Sequence, residues 1–370
     1  MNSKDIFYAL QTGKISPEDA EKEIIEMMGQ VAKQSSNVHT AELSGEQQLS
    51  LSSRLEIQPM ADLHGAEKKW PQFPELIHLN NSFQGRPVFW FHGGVGTVSG
   101  YRVIARKIQR PFYGIQPRGW VGNRAPLNGI QAMAAYYSHI ILSVQPKGPY
   151  DLGGYSLGGR LAYEVTRQLQ ELGETVNTIV MVDSVFLDSP YQAESPKFVQ
   201  KTLLLQAVNM QLLSKIVQEP KNIAQTFIHQ SEVNVDIDDE EFLKQLIILA
   251  KARGLNQTEQ QLCAQIQQRV RVQRAYGIEQ FSVLPLPDPQ AVRCYYLRNK
   301  SGLFYGELEP YFRVGGKQKI ELDHTRYWGK LENEIPNFYM MDVDSSNHMT
   351  LLSEPRAYGA VSALCEKVYS

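Results

Sequence analysis

The segment GGYSLGG at positions 153–159 constrains this chain more than any other. Gly154, Ser156 and Gly158 fill a G-x-S-x-G pattern, and Gly153 and Gly159 flank it. Before it stands PYDLGG, short and apolar enough for a buried strand; after it stands GRLAYEVTRQLQELG, patterned as a helix. A strand that turns sharply into a helix holds its serine in a strained backbone conformation with the hydroxyl exposed. The positions two before and two after must be small because neighbouring backbone comes close. A glycine-rich turn with an ordinary serine is the plain alternative, and the strand, elbow and helix in series argue against it.

The rhythm around the elbow repeats. IHLN, PVFWFHGG, FYGIQPRG, YDLGGYS and TIVMVDS are short apolar runs that end in glycine or polar residues, with helical stretches between most of them. That alternation predicts an α/β fold, a parallel sheet covered by helices on both faces, with ligand groups at the carboxyl ends of the strands. The rhythm stops between about 188 and 288, where four helical segments are expected. In PKFVQKTLLLQAVNMQLLSKIVQE, residues Val199, Leu203, Leu204, Val208, Leu212, Leu213 and Ile216 share one face. DDEEFLKQLIILAKARG starts acidic and ends basic before Gly254, as the helix dipole favours, and TEQQLCAQIQQRVRVQRAYG follows. Strands resume with VRCYYLR at 292–298 and NFYMMDV at 337–343.

At 370 residues the chain suggests two or three domains of about 150 residues, or one large α/β domain with insertions. Hydrophobic residues at 42% exclude a wholly disordered chain, and a formal charge of -2 gives no global field for nucleic acid or anionic lipid. Cys263, Cys294 and Cys365 form no C-x-x-C pair, so neither a disulfide framework nor a zinc site is indicated, and a reducing cytoplasm is expected. No apolar run approaches the roughly 18 residues of a membrane span, and the first 20 residues lack the pattern of a signal peptide.

A serine hydroxyl is a weak nucleophile near neutral pH. A histidine must take its proton and an acid must orient that histidine. In α/β-hydrolases the chain order is serine, acid, histidine, which leaves His229, His324 and His348. His229 lies in the helical insertion and His324 has a charged setting without a strand before it. His348 follows NFYMMDV through the polar loop DSSN and precedes a final helix, which makes it the preferred base. For the acid, Asp183 ends the strand TIVMVD, whereas VRCYYLRNKSG carries no carboxylate at its end; Asp288, Asp342 and Asp344 are the alternatives, and a turn-capping role is the plain reading of Asp183. The oxyanion of a tetrahedral intermediate needs two backbone N–H donors. Leu157 is one, and the HGGVG turn supplies the other at Gly94, with Val95 second. His92 precedes the serine and is read as a brace for that turn.

PVFWFHGGVGTVSGYRVIARKI, FYGIQPRGW, the run QPKGPYDLGGYSLGGRLAYEVTRQLQELGETVNTIVMVDS and NHMTLLSEP together resemble the terminal thioesterase domains of modular polyketide and nonribosomal peptide synthases, over about residues 71–187 and 290–370. The resemblance implies the α/β-hydrolase fold, a helical lid at the insertion, and Ser156, Asp183 and His348 at the triad positions. It implies no bound cofactor and no metal: 4'-phosphopantetheine would enter as the arm of an acyl carrier protein, the partner expected alongside an upstream synthase module. One departure is Ser346, where the family usually has glycine two residues before the histidine. Arg269, Arg271 and Arg274 would face the carrier's acidic surface or the pantetheine phosphate, or else form a solvated face.

Residues 1–30 read as two short helices, the second starting at Ser16-Pro17-Glu18-Asp19 and carrying a stripe of Ala20, Ile24, Met27 and Met28. LQTGKISPEDAEKEI resembles short helical segments between or at the ends of synthase modules, which implies docking or tethering; an ordinary helical extension is the alternative. Residues 31–70, rich in Ser, Gln, Glu and Asn, read as a linker, and the catalytic domain spans 71–370. A free-standing esterase or lipase, or an inactive hydrolase fold serving as an interaction module, are the competing functions.

Overall fold

The computed structural model describes residues 73–122, 124–184, 196–216, 223–278, 281–315, 320 and 331–370. The N-terminal helices, the linker and His324 lie outside these residues. Among the described residues seven strands form one sheet in the order β1-β3-β2-β4-β5-β6-β7. They are β1 (Leu76–His78), β2 (Val88–Phe91), β3 (Phe112–Ile115), β4 (Tyr150–Tyr155), β5 (Val176–Val182), β6 (Arg293–Asn299) and β7 (Phe338–Val343). Every neighbouring pair is parallel except β1 with β3. The sheet is the mostly parallel α/β-hydrolase arrangement expected from the apolar runs, with β1 added antiparallel at one edge.

Alternation along each strand sends side chains to two different cores. Phe89, Phe91, Leu152, Ile179 and Met181 pack with helices α1 (Ile130–Val144) and α2 (Leu157–Glu171). Val88, Trp90, Val180, Val182 and Leu297 pack on the opposite face with α6 (Pro355–Val368) and the helical turn Arg102–Ala105. Because both faces are covered, the central strands are apolar throughout rather than alternating with polar residues.

The insertion after β5 contributes α3 (Pro196–Ile216), the short turn Ile223–Thr226, α4 (Asp239–Ala252) and α5 (Glu259–Ala275). Their starts carry local chemistry that stops fraying: Asp238 accepts from the Glu241 amide, and Thr258 with Gln261 makes a reciprocal capping box. These helices enclose a third core, in which Leu204, Val208 and Leu212 meet Phe242, Leu246, Leu262 and Ile266. Tyr305, Leu308, Phe312 and Val314 join that same core. The lid is therefore built from two separate pieces of chain, the insertion between β5 and β6 and the start of the excursion between β6 and β7. Among the described residues no helix is long and apolar enough to cross a membrane.

A buried charge fastens the end of the sheet remote from Ser156. Asp151, fully buried near the start of β4, accepts from Arg86 Nε and Nη2 at 3.0 and 2.8 Å, from Arg110 Nη2, and from Asn177 Nδ2 at 2.6 Å. Arg110 also donates to the Tyr369 carbonyl at 3.1 Å, while the Tyr369 hydroxyl donates to the Leu152 carbonyl at 2.8 Å. Removing one partner of such a cluster leaves the other charges desolvated. Asp151→Ala is expected to lower the unfolding free energy by about 3 kcal/mol, the water access of half-buried Arg86 keeping the loss moderate. Urea unfolding at neutral pH reads it, and a loss under about 1 kcal/mol would show that the arginines do not depend on Asp151.

Candidate active site

Ser156 occupies the turn between β4 and α2 with φ 58° and ψ -121°, a conformation that non-glycine residues rarely adopt. Its neighbours explain why it persists. A Cβ on Gly154 would come within 2.3 Å of the Gly158 backbone, and one on Gly158 within 2.3 Å of the Phe91 carbonyl oxygen. The serine amide donates to the Val182 carbonyl at 2.8 Å, which anchors the turn to β5. Asp183, one residue beyond β5, is the other described non-glycine residue with positive φ, at 47°. Its amide donates to the Leu297 carbonyl at 2.7 Å, and the Asn299 amide donates to its Oδ1 at 3.0 Å, so β6 holds both ends of the acid.

His348 arrives on the loop after β7. Its Nδ1 lies 2.8 Å from Asp183 Oδ2 and its Nε2 lies 2.8 Å from Ser156 Oγ. The carboxylate can only accept, so the proton sits on Nδ1 and Nε2 is left to accept from the serine hydroxyl. Asp183 is fully buried and His348 is 2% exposed. Two aromatic rings sandwich the imidazole: Tyr155 at 4.8 Å and 21°, Phe304 at 4.5 Å and 18°. The Tyr155 hydroxyl donates to the His348 carbonyl, and the His348 amide donates to the Leu303 carbonyl at 2.8 Å. Ser346 has no positive φ, so glycine is not required there; its amide donates to the Glu354 carboxylate at 3.1 and 3.0 Å.

The other candidates are elsewhere. His229 caps a helical turn in the lid, bonded to Ser231. Asp288 accepts from the Ala291 amide, Asp342 pairs with Arg298 and Asp344 with Lys300, so each is engaged away from His348. Arg269 lies over the Trp120 ring at 5.2 Å, while Arg271 and Arg274 are exposed.

Gly94, Val95 and Leu157 line a cavity of about 150 Å³ together with Ser156 and His348, under a roof of Leu203, Met210 and Phe304. His92, beside this loop, is fully buried; its Nδ1 lies 2.8 Å from the Gly93 carbonyl oxygen and its Nε2 2.8 Å from the Tyr137 hydroxyl. A carbonyl only accepts, so Nδ1–H donates to Gly93 and the Tyr137 hydroxyl donates to Nε2. Burial depresses the His92 pKa to about 4. Reading the sequence did not single out Tyr101, whose hydroxyl donates to the Phe91 carbonyl at 2.8 Å and accepts from the Tyr155 amide at 3.2 Å, nor Phe304. Tyr155 stands next to the elbow serine in the sequence; Phe304, the second ring stacked on His348, lies far along the chain and no local pattern marks it.

The family model described as Thioesterase domain matches residues 86–368. The chain belongs to the thioesterase-domain family. Its sequence is 51% identical over 300 residues to the polyketide synthase PksR of Bacillus subtilis (strain 168), covering 80% of this chain and 12% of that protein. It is 32% identical over 114 residues to an atromentin synthetase of Tapinella panuoides, covering 30% of this chain and 12% of that one. The thioesterase chain thus spans about an eighth of the length of these relatives. Among solved structures, a four-domain nonribosomal peptide synthetase aligns with a TM-score of 0.58 and 20% identity, over 80% of this chain and 20% of that one. The wild-type Vlm2 thioesterase domain aligns with a TM-score of 0.50 and 16% identity, over 79% and 96%. At those identities the structures speak to the fold, and they agree with the sheet described above.

His92 gives this thioesterase domain an acid-sensitive element. Its pKa is about 4 in the folded protein and an ordinary 6.5 unfolded, so between those values the unfolded chain binds more protons. Stability is complete above pH 6.5 and declines as pH falls toward 4. His139, likewise depressed to about 4 by burial, adds a second such contribution. Each is worth up to about 1.4 kcal/mol per pH unit in that window. His92→Gln is expected to remove one of the two contributions from the slope, measured by urea unfolding between pH 4.5 and 6.5; an unchanged slope would mean that His92 is protonated in the folded state.

Proposed function

We propose that the chain is a serine thioesterase that releases a polyketide or peptide acyl chain from an acyl carrier protein through an acyl-Ser156 intermediate. The observation that carries this reading is the unbroken line from Asp183 through His348 to Ser156, opening on an apolar cavity under the lid, in a chain of the thioesterase-domain family. The likeness to a polyketide synthase over most of this chain supports a carrier-bound substrate.

In this mechanism Ser156 Oγ attacks the thioester carbonyl while His348 Nε2 takes its proton, and Asp183 stabilises the imidazolium and keeps its orientation. The carbonyl oxygen becomes an oxyanion, received by the amide of Leu157 and that of Gly94 or Val95. Collapse of the tetrahedral intermediate breaks the carbon–sulfur bond, and His348 returns the proton to the departing thiol of the 4'-phosphopantetheine arm, which enters only as part of the substrate. A second nucleophile, deprotonated by His348, then attacks the ester; the bond from the acyl carbon to Ser156 Oγ breaks and His348 returns the proton to Oγ. Water gives a free acid; a hydroxyl or amine of the same chain gives a macrocycle. The apolar lining of Leu203, Met210, Phe304 and Phe312 favours a folded acyl chain over bulk water, which cyclisation requires.

Ser156→Ala is expected to lower kcat by at least about 10⁴-fold and to abolish labelling by a fluorophosphonate; labelling that survives would move the nucleophile elsewhere. A carrier-bound or pantetheine-mimic thioester should be turned over much faster than a short nitrophenyl ester. Equal or reversed preference would make the protein a small-ester esterase. Mass spectrometry of products from a long hydroxyacyl thioester separates the two release routes, a mass lower by one water with no alkene in the chain marking ring closure.

A further inference from the structure

The last turn of α5, a lid helix, lies against the loop that carries Gly94. Two contacts reach that loop, and a third ties the turn to the start of α1. The Gly129 amide donates to the Ala275 carbonyl at 2.8 Å, the Tyr276 ring rests on the His92 ring at 5.4 Å, and Gln273 Nε2 donates to the Gly94 carbonyl at 3.1 Å. Gln273 and Tyr276 are three residues apart and so share a helix face.

The bond from Gln273 matters because of what a planar peptide does. In a trans peptide the carbonyl and the following N–H point in opposite directions, so holding one aims the other. The Gly93 carbonyl accepts from the Gly96 amide at 3.0 Å and from His92 Nδ1 at 2.8 Å, which aims the Gly94 N–H away from both. By the same rule the Gly94 carbonyl, held by Gln273, aims the Val95 N–H. Between these two peptide planes stands Gly94, and a Cβ built there would meet nothing within 4 Å. A glycine in open space has two soft dihedrals and no side chain to restrict them. Its conformation is set by the two carbonyl clamps, one from the sheet end and one from the lid.

We propose that Gln273 is a positioning residue for the oxyanion hole: from the lid it fixes the Gly94–Val95 peptide plane, which aims the Val95 N–H directly and limits the dihedrals of Gly94, whose own N–H lies on the neighbouring clamped plane. The inference rests on the serine thioesterase reading above. It makes the lid a contributor to the rate of the chemical step as well as a cover for the acyl chain.

The test separates transition-state from ground-state effects. Gln273→Leu and Gln273→Glu, neither able to donate to the Gly94 carbonyl near neutral pH, are expected to lower kcat/KM for a pantetheine-type thioester by about 10- to 100-fold, less than the loss of a whole oxyanion donor. A trifluoromethyl ketone analogue adds to Ser156 and places a real oxyanion in the hole, and its affinity should fall by the same factor. The affinity of the unreactive amide analogue should change less than about twofold. Gln268→Leu is the control, since Gln268 ties the same helix to the Gly119 carbonyl at 2.5 Å; it should leave ketone affinity within about twofold. Equal losses for ketone and amide, or a Gln268→Leu loss as large as that of Gln273→Leu, would overturn the proposal. Wild-type inhibition by the ketone with undiminished inhibition of the Gln273 variants overturns the role of Gln273 alone, whereas full turnover by Ser156→Ala overturns the thioesterase mechanism on which it stands.

Discussion

Everything at the carboxyl end of this sheet depends on the close approach of backbone to backbone at the elbow. Without a Cβ on Gly154 and Gly158, α2 starts directly against the ends of β2 and β4, and Ser156 is forced into positive φ. The same approach recurs one position further on. A Cβ on Gly159 would sit 1.9 Å from Ser184 Oγ, so the turn carrying Asp183 and the start of α2 share one tight contact. Strain at Ser156 persists because β5, β2 and α2 each constrain it independently, the circumstance in which an unfavourable backbone survives.

The histidine is held by different means. No sheet pairing fixes His348, which sits on a loop; aromatic faces and backbone bonds do so instead. Tyr155 and Phe304 leave the imidazole one plane in which to lie, and pairs of this kind contribute about 0.5–1.5 kcal/mol each. Phe304 belongs to the segment that continues into the lid core: Tyr305, its neighbour, accepts from Gln206 of α3 at 2.8 Å. The ring that confines the histidine is thereby anchored from the lid side.

What could be read from the residues alone was local. Short apolar runs ending in glycine or polar residues became the strands β1 to β7, the central ones apolar throughout because both sheet faces are covered there, and GGYSLGG became the elbow because its geometry is written within seven residues. The order of Ser156, Asp183 and His348 narrowed the site because Ser156 and Asp183 stand directly after β4 and β5, and His348 follows β7 by a short polar loop. Features that join distant segments were not legible. The antiparallel pairing of β1 depends on a partner that no local pattern names. Residues 304–314 look like a loop between strands, yet pack with α3 because Phe312 and Val314 have apolar surface to bury there. Tyr101, Phe304 and Gln273 reach the site through one or two contacts across the fold, and nothing in the spacing of such residues sets them apart from ordinary helix or loop positions. The N-terminal docking segment, a reading made from sequence, falls outside the described residues.

The placement of Asp183 bears on how such a domain can change its substrate. The insertion leaves the sheet just after Asp183 and returns to it at β6, the adjacent strand, whose Leu297 and Asn299 hold the acid by backbone bonds. Those bonds involve no lid residue. Helices α3 and α4 can therefore be lengthened, shortened or replaced by another family member's without moving the acid, because the cut ends are already spliced by the sheet. A transplant limited by that rule would still have to carry over the final turn of α5, where the lid reaches the Gly94 loop. The exchangeable unit is thus shorter than the whole insertion: it must keep Gln206 of α3, which holds Tyr305 beside Phe304, and it stops before Gln273.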